Sequence, residues 1–369
     1  MAILPDANNE LTSDEGNLLE HSLEGVVELD PQLEPLSRDL AWIEGVFDLE
    51  TRTVREANSL GYNVGPLTQV YLPYHDPGRR GLPVWVRRNG DLTMTLRPGV
   101  TVNDEGRVVL EYPYGKYPRL ILPWLTTQVV LRQKEIESDG TIVIPIADSL
   151  RSFMQDIGLG WGGKQGKIVR DQTRRLLSAS ISLSQRLQAP GGEVRERLRQ
   201  MVVAESYDLW WGDRDEGDAK TPPLWENEVR LSAPFVQSIL AAPVPTDLRA
   251  LKLLSDKGGP MAMDIYSWLS YRLFSAKKAS LIPWELLAAQ FGNQTKETWK
   301  FKQQFTAKLK IVKIVYRSAR FSVQDKGLLI FKCIKGESRL NPSTWAGRCR
   351  PRQVYQRGIT IESQHTSHN

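Results

Sequence analysis

The sequence has few of the residues that build metal sites and disulfide frameworks. Two of its 369 residues are cysteines, Cys333 and Cys349, and four are histidines. Two cysteines are too few for a disulfide framework, and neither they nor the scattered histidines have the spacing of a zinc site. We therefore expect no structural metal and no bound cofactor.

Long apolar segments are lacking as well. No run of about 18 apolar residues is present, which predicts that no helix spans a membrane. The first ten residues, up to Glu10, do not combine a basic segment with an apolar one, so we expect no secretion signal. These absences predict a soluble, cytoplasmic protein.

Acidic residues become scarce after the first part of the chain. Residues 1–60 contain 14 Asp and Glu but 3 Lys and Arg, a net charge of −11, and the remaining residues carry +16. Residues 296–357 contain 16 basic residues and 3 acidic ones. A body of this charge attracts a polyanion, and the partner that it favours is nucleic acid.

The sequence also lacks a recognisable set of catalytic residues. The segment from Gly160 to Ile168 superficially resembles a phosphate-binding loop. However, Trp161 occupies the position of its first glycine, and Ile168 occupies that of its magnesium-binding Ser or Thr. No two histidines flank a single apolar residue, as the metal site of a DNA-nicking endonuclease requires. The sequence therefore predicts a protein that is not an enzyme.

Composition and periodicity divide the chain into five parts. Residues 1–35 are polar and acidic, and residues 336–369 are polar and basic, so both are predicted to be disordered. Residues 36–115 are predicted to form a helix and a β-hairpin extension packed on the first domain, with the hairpin turn at Asn89-Gly90-Asp91 and further strands over 67–73 and 106–112. The first and second domains are then residues 116–242 and 243–335.

Both domains show the same order of predicted elements, which is helix, short helix, long helix and hairpin. In the first domain these are helices over 118–132, 150–157 and 167–178, with Asp148 or Ser149 as the cap of the second, and a strand from 179. In the second, Thr246 is the predicted cap of a helix, and helices over 261–274, 280–291 and 298–317 precede a hairpin over 320–331. The predicted fold class is α+β, with two tandem winged helix-turn-helix domains.

The long helix of the second domain has an apolar stripe and a basic face. The stripe consists of Phe301, Phe305, Leu309, Val312 and Tyr316. The opposite face carries Lys300, Gln303, Thr306, Lys310 and Arg317, with Lys302 and Lys313 at its shoulder. Gln and Lys can bind base edges in a major groove, whereas shoulder lysines and Lys326 at the hairpin tip are placed to contact phosphates. A merely solvated face is the alternative.

The long helix of the first domain shows the same pattern more weakly. Val169, Leu176 and Ser180 are its predicted inner stripe, and the predicted DNA contacts are Lys164, Lys167, Arg170, Arg174 and Ser178. Asp171 shares that face, so a packing role is an open alternative. Further on, Arg195, Arg197 and Arg199 would point the same way in an extended strand, where they could follow a DNA backbone or face solvent. Tryptophans within apolar patterns are interpreted as core residues: Trp210, Trp211, Trp225, Trp268 and Trp284.

A long ordered series of segments resembles the plasmid-encoded RepA replication initiator family. The series runs from about Arg55 to Phe331. Its segments are Gly61-Tyr-Asn, Leu72-Pro-Tyr-His, residues 86–96, residues 114–127, residues 148–159, Trp210-Trp211, residues 243–251, residues 265–272 and residues 282–292. Residues 99–111 depart from the family pattern and are interpreted as an inserted strand. The acidic leader and the basic tail also lie outside the resemblance.

The resemblance implies a plasmid replication initiator in a bacterial cytoplasm. Such proteins bind repeated sites (iterons) in double-stranded plasmid origin DNA, help to open A·T-rich DNA, contribute to copy control, and recruit the host initiator and helicase machinery. Related initiators carry two winged-helix domains, and many alternate between a DNA-binding monomer and a homodimer that represses its own gene. The residues leave the oligomeric state open.

Two further classes of protein are compatible with parts of the pattern. A winged-helix transcription repressor would use the same helices on a promoter palindrome. A nicking or primase-type enzyme would need a Tyr nucleophile beside metal-binding residues, which the sequence does not offer. For the acidic leader, the charge of −11 motivates the hypothesis that it shields the basic body as a mimic of DNA.

Overall fold

The computed structural model describes residues 34–147, 149–188, 192–209, 227–275, 278–292 and 297–331. The assignments of Asp148, Trp210, Trp211 and Trp225 and the predictions of disorder in residues 1–33 and 336–369 therefore lie outside the described residues. Glu34 and Pro35, also predicted to be disordered, are instead the first residues of a helix. The backbone contacts divide the chain into two units, residues 1–48 and residues 49–369. In the first unit the described residues form most of the helix Glu34–Thr51, which is the helix predicted at the start of residues 36–115.

Nine α-helices occur within the described residues. They are α1 (Glu34–Thr51), α2 (Pro118–Leu131), α3 (Leu150–Asp156), α4 (Gly163–Leu177), α5 (Ala233–Ala241), α6 (Leu248–Lys257), α7 (Gly259–Ser275), α8 (Trp284–Phe291) and α9 (Thr298–Val315). Short 3-10 helices cover Gly65–Thr68, Gly78–Arg80 and Gln133–Glu135. None of these helices is both long and apolar enough to cross a lipid bilayer.

Fourteen β-strands are described, and all of their pairings are antiparallel. They are β1 (Leu60–Val64), β2 (Trp85–Asn89), β3 (Leu92–Arg97), β4 (Gly99–Val102), β5 (Val108–Glu111), β6 (Ile142–Pro145), β7 (Ser180–Gln188), β8 (Val194–Val202), β9 (Ala204–Asp208), β10 (Glu228–Leu231), β11 (Pro243–Asp247), β12 (Ser280–Pro283), β13 (Phe321–Val323) and β14 (Gly327–Ile330). The sheets are small, with two to four strands each. The mixed α and β content confirms the predicted α+β class.

The predicted hairpin β2–β3 is extended by strands that lie far away in the sequence. Its strand β3 pairs with β7, and β7 pairs with β8, which gives a four-stranded sheet in the order β2-β3-β7-β8. Met94 lies opposite Leu183, and Leu96 lies opposite Ile181, and all four side chains are buried. Burial of these apolar residues holds the hairpin on the strands that follow helix α4.

Two segments of the chain contain the same five elements in the same order. The first is β6, α3, α4, β7 and β8, and the second is β12, α8, α9, β13 and β14. Their sheets differ, because β12 pairs with β14, whereas β6 pairs with β10 in a separate sheet. The order of elements is thus duplicated, and the strand pairing is not.

A buried ion pair joins α2 to α7. Arg119 Nε lies 2.7 Å from Asp264 Oδ1, and both side chains are less than a tenth exposed. The Arg119 guanidinium also donates to the backbone carbonyls of Leu72, Pro73 and Gly115. Burial lowers the pKa of Arg119, but the carboxylate of Asp264 outweighs that effect, so the pKa lies above its ordinary value. One side chain therefore fastens a loop and two helices together.

Several predicted boundaries are wrong. Residues 67–73 are a 3-10 turn followed by irregular chain instead of a strand, because Val70, Tyr71 and Leu72 are all buried in succession and backbone carbonyls there are satisfied by side chains. Residues 280–283 form strand β12, so helix α8 starts at Trp284. The inserted segment 99–111 contains two paired strands, β4 and β5, instead of one.

Two helix starts also differ from the prediction. Asp247, not Thr246, caps α6, because its carboxylate accepts a hydrogen bond from the backbone N–H of Arg249. Helix α4 begins at Gly163, so Lys164 lies in its first turn and not in a preceding loop. Ser149 caps α3, as one of the two predicted alternatives.

Candidate nucleic-acid interface

Helix α9 buries the apolar stripe that its sequence predicts. Phe301, Phe305, Leu309 and Val312 are at most 1% exposed, and Tyr316, just after the helix, is also buried. The ring of Phe305 packs against the rings of Phe291 and Trp284. As predicted, Trp284 and Trp268 are core residues. The packing fixes the rotation of α9 about its axis, and its polar face consequently points outward.

Three predicted contact residues on α9 are exposed on the outward face. They are Lys300, Gln303 and Lys310. Lys300 Nζ lies 2.7 Å from Glu297 Oε2, and both side chains are about half exposed. An exposed pair of this kind contributes little to stability, so the lysine can exchange its partner for a phosphate or a base at low cost.

The shoulder residue Lys302 has partners within the protein, whereas the hydroxyl of Thr306, on the same helix, has none among the described residues. Lys302 Nζ lies 3.7 Å from Asp325 Oδ1 and 5.5 Å from the centre of the Trp284 ring. Thr306, also half-buried, carries a buried hydroxyl oxygen without a hydrogen-bond partner. Through its contacts with Asp325 and Trp284, Lys302 connects the start of the helix to the β13–β14 turn.

The end of α9 is held by its own basic residues. Lys313 Nζ donates to the backbone carbonyls of Arg317 and Ala319, each at 2.7 Å, and burial lowers the pKa of Lys313. Arg317 Nε lies 2.6 Å from Glu50 Oε1. These contacts satisfy the chain after the helix C-terminus, which indicates a structural role for Lys313 and Arg317. Lys326, at the tip of the β13–β14 turn, is exposed.

On α4 the predicted residues separate into exposed and engaged groups. Lys164, Lys167 and Ser178 are exposed, and the Ser178 hydroxyl lies 3.2 Å from the Tyr207 hydroxyl. Arg170 is half-buried. Ser180 is the first residue of β7, so the prediction that it belongs to the inner face of the helix is wrong.

Arg174 is engaged inside the protein. Its two terminal nitrogens bind the two carboxylate oxygens of Glu111, a side chain that is 7% exposed, and Asp171 lies 3.3 Å away. The hydrogen bond to Glu111 is the main reason why the pKa of Arg174 lies above its ordinary value. The guanidinium nitrogens that would bind a phosphate in a bidentate manner are already bound to Glu111. Arg174 is therefore better explained as the link between α4 and β5 than as a DNA contact. The packing alternative suggested by Asp171 therefore describes this residue.

The arginines of β8 are placed as an extended strand requires. Arg195, Arg197 and Arg199 alternate along β8 and share one side of the sheet, with Arg199 opposite Leu183. Arg195 is exposed, and Arg197 and Arg199 are half-buried. Their common direction is confirmed, and their partner is still a matter of prediction.

Two exposed tryptophans were not selected from the sequence. Trp299 is 62% exposed and Trp161 is 46% exposed, whereas Trp85, Trp124 and Trp268 are 9% exposed or less. Trp299 lies in the first turn of α9, and Trp161 lies two residues before α4. The signal was available for Trp299, because a helical wheel places it on the same face as Gln303 and Lys310.

Within the described residues, no group of three or more His, Cys, Asp and Glu side chains is arranged to hold a metal ion. The cavity beside the Arg119–Asp264 pair is small, about 40 Å³, and lies among core residues such as Leu122 and Met263. That volume accommodates water and is too small for a cofactor or an organic substrate. The outward face of α9 is therefore the better candidate for a functional surface.

Comparison with known proteins identifies a related family for part of the chain. Residues 112–285 match the family model described as plasmid encoded RepA protein. The match confirms, over that segment, the resemblance drawn from the sequence motifs. The segment is therefore similar to a class of plasmid-encoded proteins, and within that class to RepA.

Two solved structures are also similar to the chain. A selenomethionine derivative of domains 2 and 3 of RctB has 12% sequence identity and a TM-score of 0.42, covering 73% of this chain and 96% of that one. A second structure of RctB domains 2–3 has 11% identity and a TM-score of 0.37, covering 73% and 97%. The comparison with curated protein sequences found no match.

Proposed function

We propose that the protein is a plasmid replication initiator that binds repeated duplex sites in the origin of its own plasmid. The match of residues 112–285 to plasmid encoded RepA protein supports the class. The observation that carries DNA binding is the outward face of α9, where Lys300, Gln303 and Lys310 are exposed over an aromatic core that fixes their direction. Proteins with such a helix insert it into the major groove.

Each of the two segments with the same order of elements is called a module: the first runs from β6 to β8 and the second from β12 to β14. The second module is proposed to be a winged helix-turn-helix. Its short helix α8 ends at Phe291, and Gly292 follows with a left-handed backbone and φ of 59°. The next helix is the longer basic helix α9. The β13–β14 hairpin comes next, and β12 completes a three-stranded sheet with it. In such a domain the long helix binds the groove, and the hairpin tip, here Lys326, contacts the backbone.

The first module is proposed to bind DNA in a related way. Its elements β6, α3, α4, β7 and β8 have the same order, and Lys164 and Lys167 are exposed in the first half of α4. Its sheet is enlarged by the β2–β3 hairpin and does not include β6. We expect this module to supply mainly phosphate contacts, because Arg174 is already paired with Glu111.

Two modules on one chain would hold adjacent major grooves on one side of the duplex, about 34 Å apart. Each module then raises the effective concentration of the other at the DNA, so two modest contacts give a tight complex. Copies bound to tandem sites would strain the intervening DNA, and A·T-rich or pyrimidine–purine steps deform at the lowest cost. The protein would act without enzymatic chemistry and pass the opened origin to host initiator and helicase proteins.

A footprint on the DNA that flanks its gene tests this function. We expect protection of direct repeats of about 20 base pairs, two helical turns, beside an A·T-rich segment. Protection confined to a short promoter palindrome would replace the initiator with a transcription repressor built on the same helices. If no flanking sequence is protected, and duplexes of random sequence bind as well as the flanking DNA does, both the initiator and the repressor functions are refuted.

A further inference from the structure

Trp299 exposes more of its side chain than a globular protein normally allows for tryptophan. The other two described tryptophans of residues 243–335, Trp268 and Trp284, are each 3% exposed, whereas Trp299 is 62% exposed. Leaving so large an apolar ring in water forgoes a burial that would stabilise the fold by about 2–3 kcal/mol. An exposed tryptophan in a well-packed module is therefore a candidate for contact with a partner.

The position of Trp299 on α9 connects it to the proposed interface. At 100° per residue, Trp299, Gln303 and Lys310 lie within about 40° of one another on the outward face. Ile314, 45% exposed, lies within about 60° of Trp299 on the same face. A face that is merely solvated has no need of two exposed apolar side chains between its polar ones. Alternating apolar and hydrogen-bonding groups is what the edge of a base pair requires.

The charges around Trp299 favour an anionic partner. Lys300 Nζ lies 5.3 Å from the centre of the Trp299 ring and 2.7 Å from Glu297 Oε2, in an exposed pair that a phosphate can replace at low cost. One side of the ring is thus occupied by an ammonium group, while the ring as a whole projects from the first turn of the helix. In helix-turn-helix proteins the first residues of the long helix are the ones that contact base edges.

We propose that Trp299 is a specificity-determining residue that packs against the C5-methyl group of a thymine in the major groove. This inference rests on the proposed DNA-binding function. The methyl group is the apolar feature that distinguishes thymine on the major-groove edge, and an indole ring is a large apolar surface to receive it. Gln303, one turn further along the same face, is placed to bind an adjacent adenine. Together they give α9 a preference for A·T pairs at its N-terminal end.

The test uses the full chain and a duplex selected for binding from a random-sequence library. A series of duplexes is derived from it, and in each of them a single thymine is replaced by uracil, which lacks the C5-methyl group. For the wild-type protein we expect affinity to fall about fourfold at the contacted position, the value of one buried methyl group. The variant Trp299→Ala should bind the unmodified duplex about fivefold or more weakly and should not distinguish thymine from uracil there.

Two further variants make the result specific. Trp299→Phe keeps an aromatic ring and should retain part of the thymine preference. Leu131→Ala removes an equally exposed apolar side chain, 71% exposed at the end of α2, and should change nothing. Because Trp299 is exposed, we expect its variants to keep the far-ultraviolet circular dichroism of the wild type.

The possible outcomes separate this inference from the proposed function. If Trp299→Ala binds as the wild type does, or keeps its sensitivity to uracil, the inference is wrong although DNA binding stands. If the charge-reversed variant Lys300→Glu/Lys310→Glu also binds normally, α9 is not the interface and both proposals fail. If the wild type selects no duplex from the library, both are likewise overturned.

Discussion

Removing the charge of Asp264 should destabilise the protein strongly, because this carboxylate is buried against Arg119. In the wild type, Asp264 Oδ1 and Oδ2 accept hydrogen bonds from Arg119 Nε and Nη2 at 2.7 and 2.9 Å. Asp264→Asn preserves the shape of the side chain but leaves the Arg119 cation buried without a counter-charge. Breaking a buried pair from one side costs about 3–5 kcal/mol.

The structure places the expected loss near the lower end of that range. The backbone carbonyls of Leu72, Pro73 and Gly115 continue to accept hydrogen bonds from Arg119, and so they partly compensate the unpaired cation. We therefore expect a decrease of about 3 kcal/mol in the free energy of unfolding. This is a large fraction of the 5–15 kcal/mol that folded proteins typically have.

Urea unfolding followed by circular dichroism measures this decrease. The matched control is Asp325→Asn, because the Asp325 side chain is fully exposed and its pair with Lys302 should contribute about 1 kcal/mol or less. Replacing both partners, Arg119→Met with Asp264→Leu, should recover part of the loss, because neither charge remains buried. If Asp264→Asn costs no more than Asp325→Asn, the pair does not fasten α2 to α7 as described.

Two other substitutions test local features of the structure. Gly292→Ala should lower the free energy of unfolding by about 1–3 kcal/mol, because φ at this position is 59° and the new Cβ would lie 1.5 Å from Arg87 Nη1. An unchanged midpoint of urea unfolding would contradict this reasoning. Arg174→Ala should lower the free energy of unfolding by about 1–3 kcal/mol, because Glu111 becomes an unpaired buried carboxylate. The affinity of this variant for duplex DNA, measured by fluorescence anisotropy, should stay close to that of the wild type. A large loss of DNA affinity without a loss of stability would return Arg174 to the interface.

Helices with strong periodicity were predictable from the sequence. The stripe from Phe301 to Val312 specifies α9, its rotation and its exposed face, because the apolar side chains recur every three or four residues over several turns. The Asn-Gly pair indicates the β2–β3 hairpin for a local reason: Asn89 ends β2 and pairs with Leu92, and Gly90, the first of the two loop residues Gly90 and Asp91, adopts the positive φ that such a turn needs. In both cases the information lies within about 20 residues of chain.

Features that depend on distant partners were not predictable in this way. Strand β1 is short, and it forms only because β11, about 180 residues further on, pairs with it. Arg119 and Asp264 are 145 residues apart, and nothing near either residue indicates that the two meet. The same reason explains Arg174, whose partner Glu111 belongs to a strand that departs from the family pattern. The exposed position of Trp299, by contrast, follows from the helical wheel alone, because Trp299 lies opposite the apolar stripe of α9.

The salt dependence of DNA binding by Lys300→Glu/Lys310→Glu tests the role of α9 most directly. The affinity of the full chain for a footprinted duplex would be measured between 50 and 200 mM salt, for the wild type and for the double variant. We expect the variant to lose specific binding, with residual binding whose log–log slope is flatter by about 1.8, or about 0.9 for each phosphate contact removed. An unchanged affinity and an unchanged slope, in a variant with the unfolding midpoint of the wild type, would show that α9 does not bind DNA.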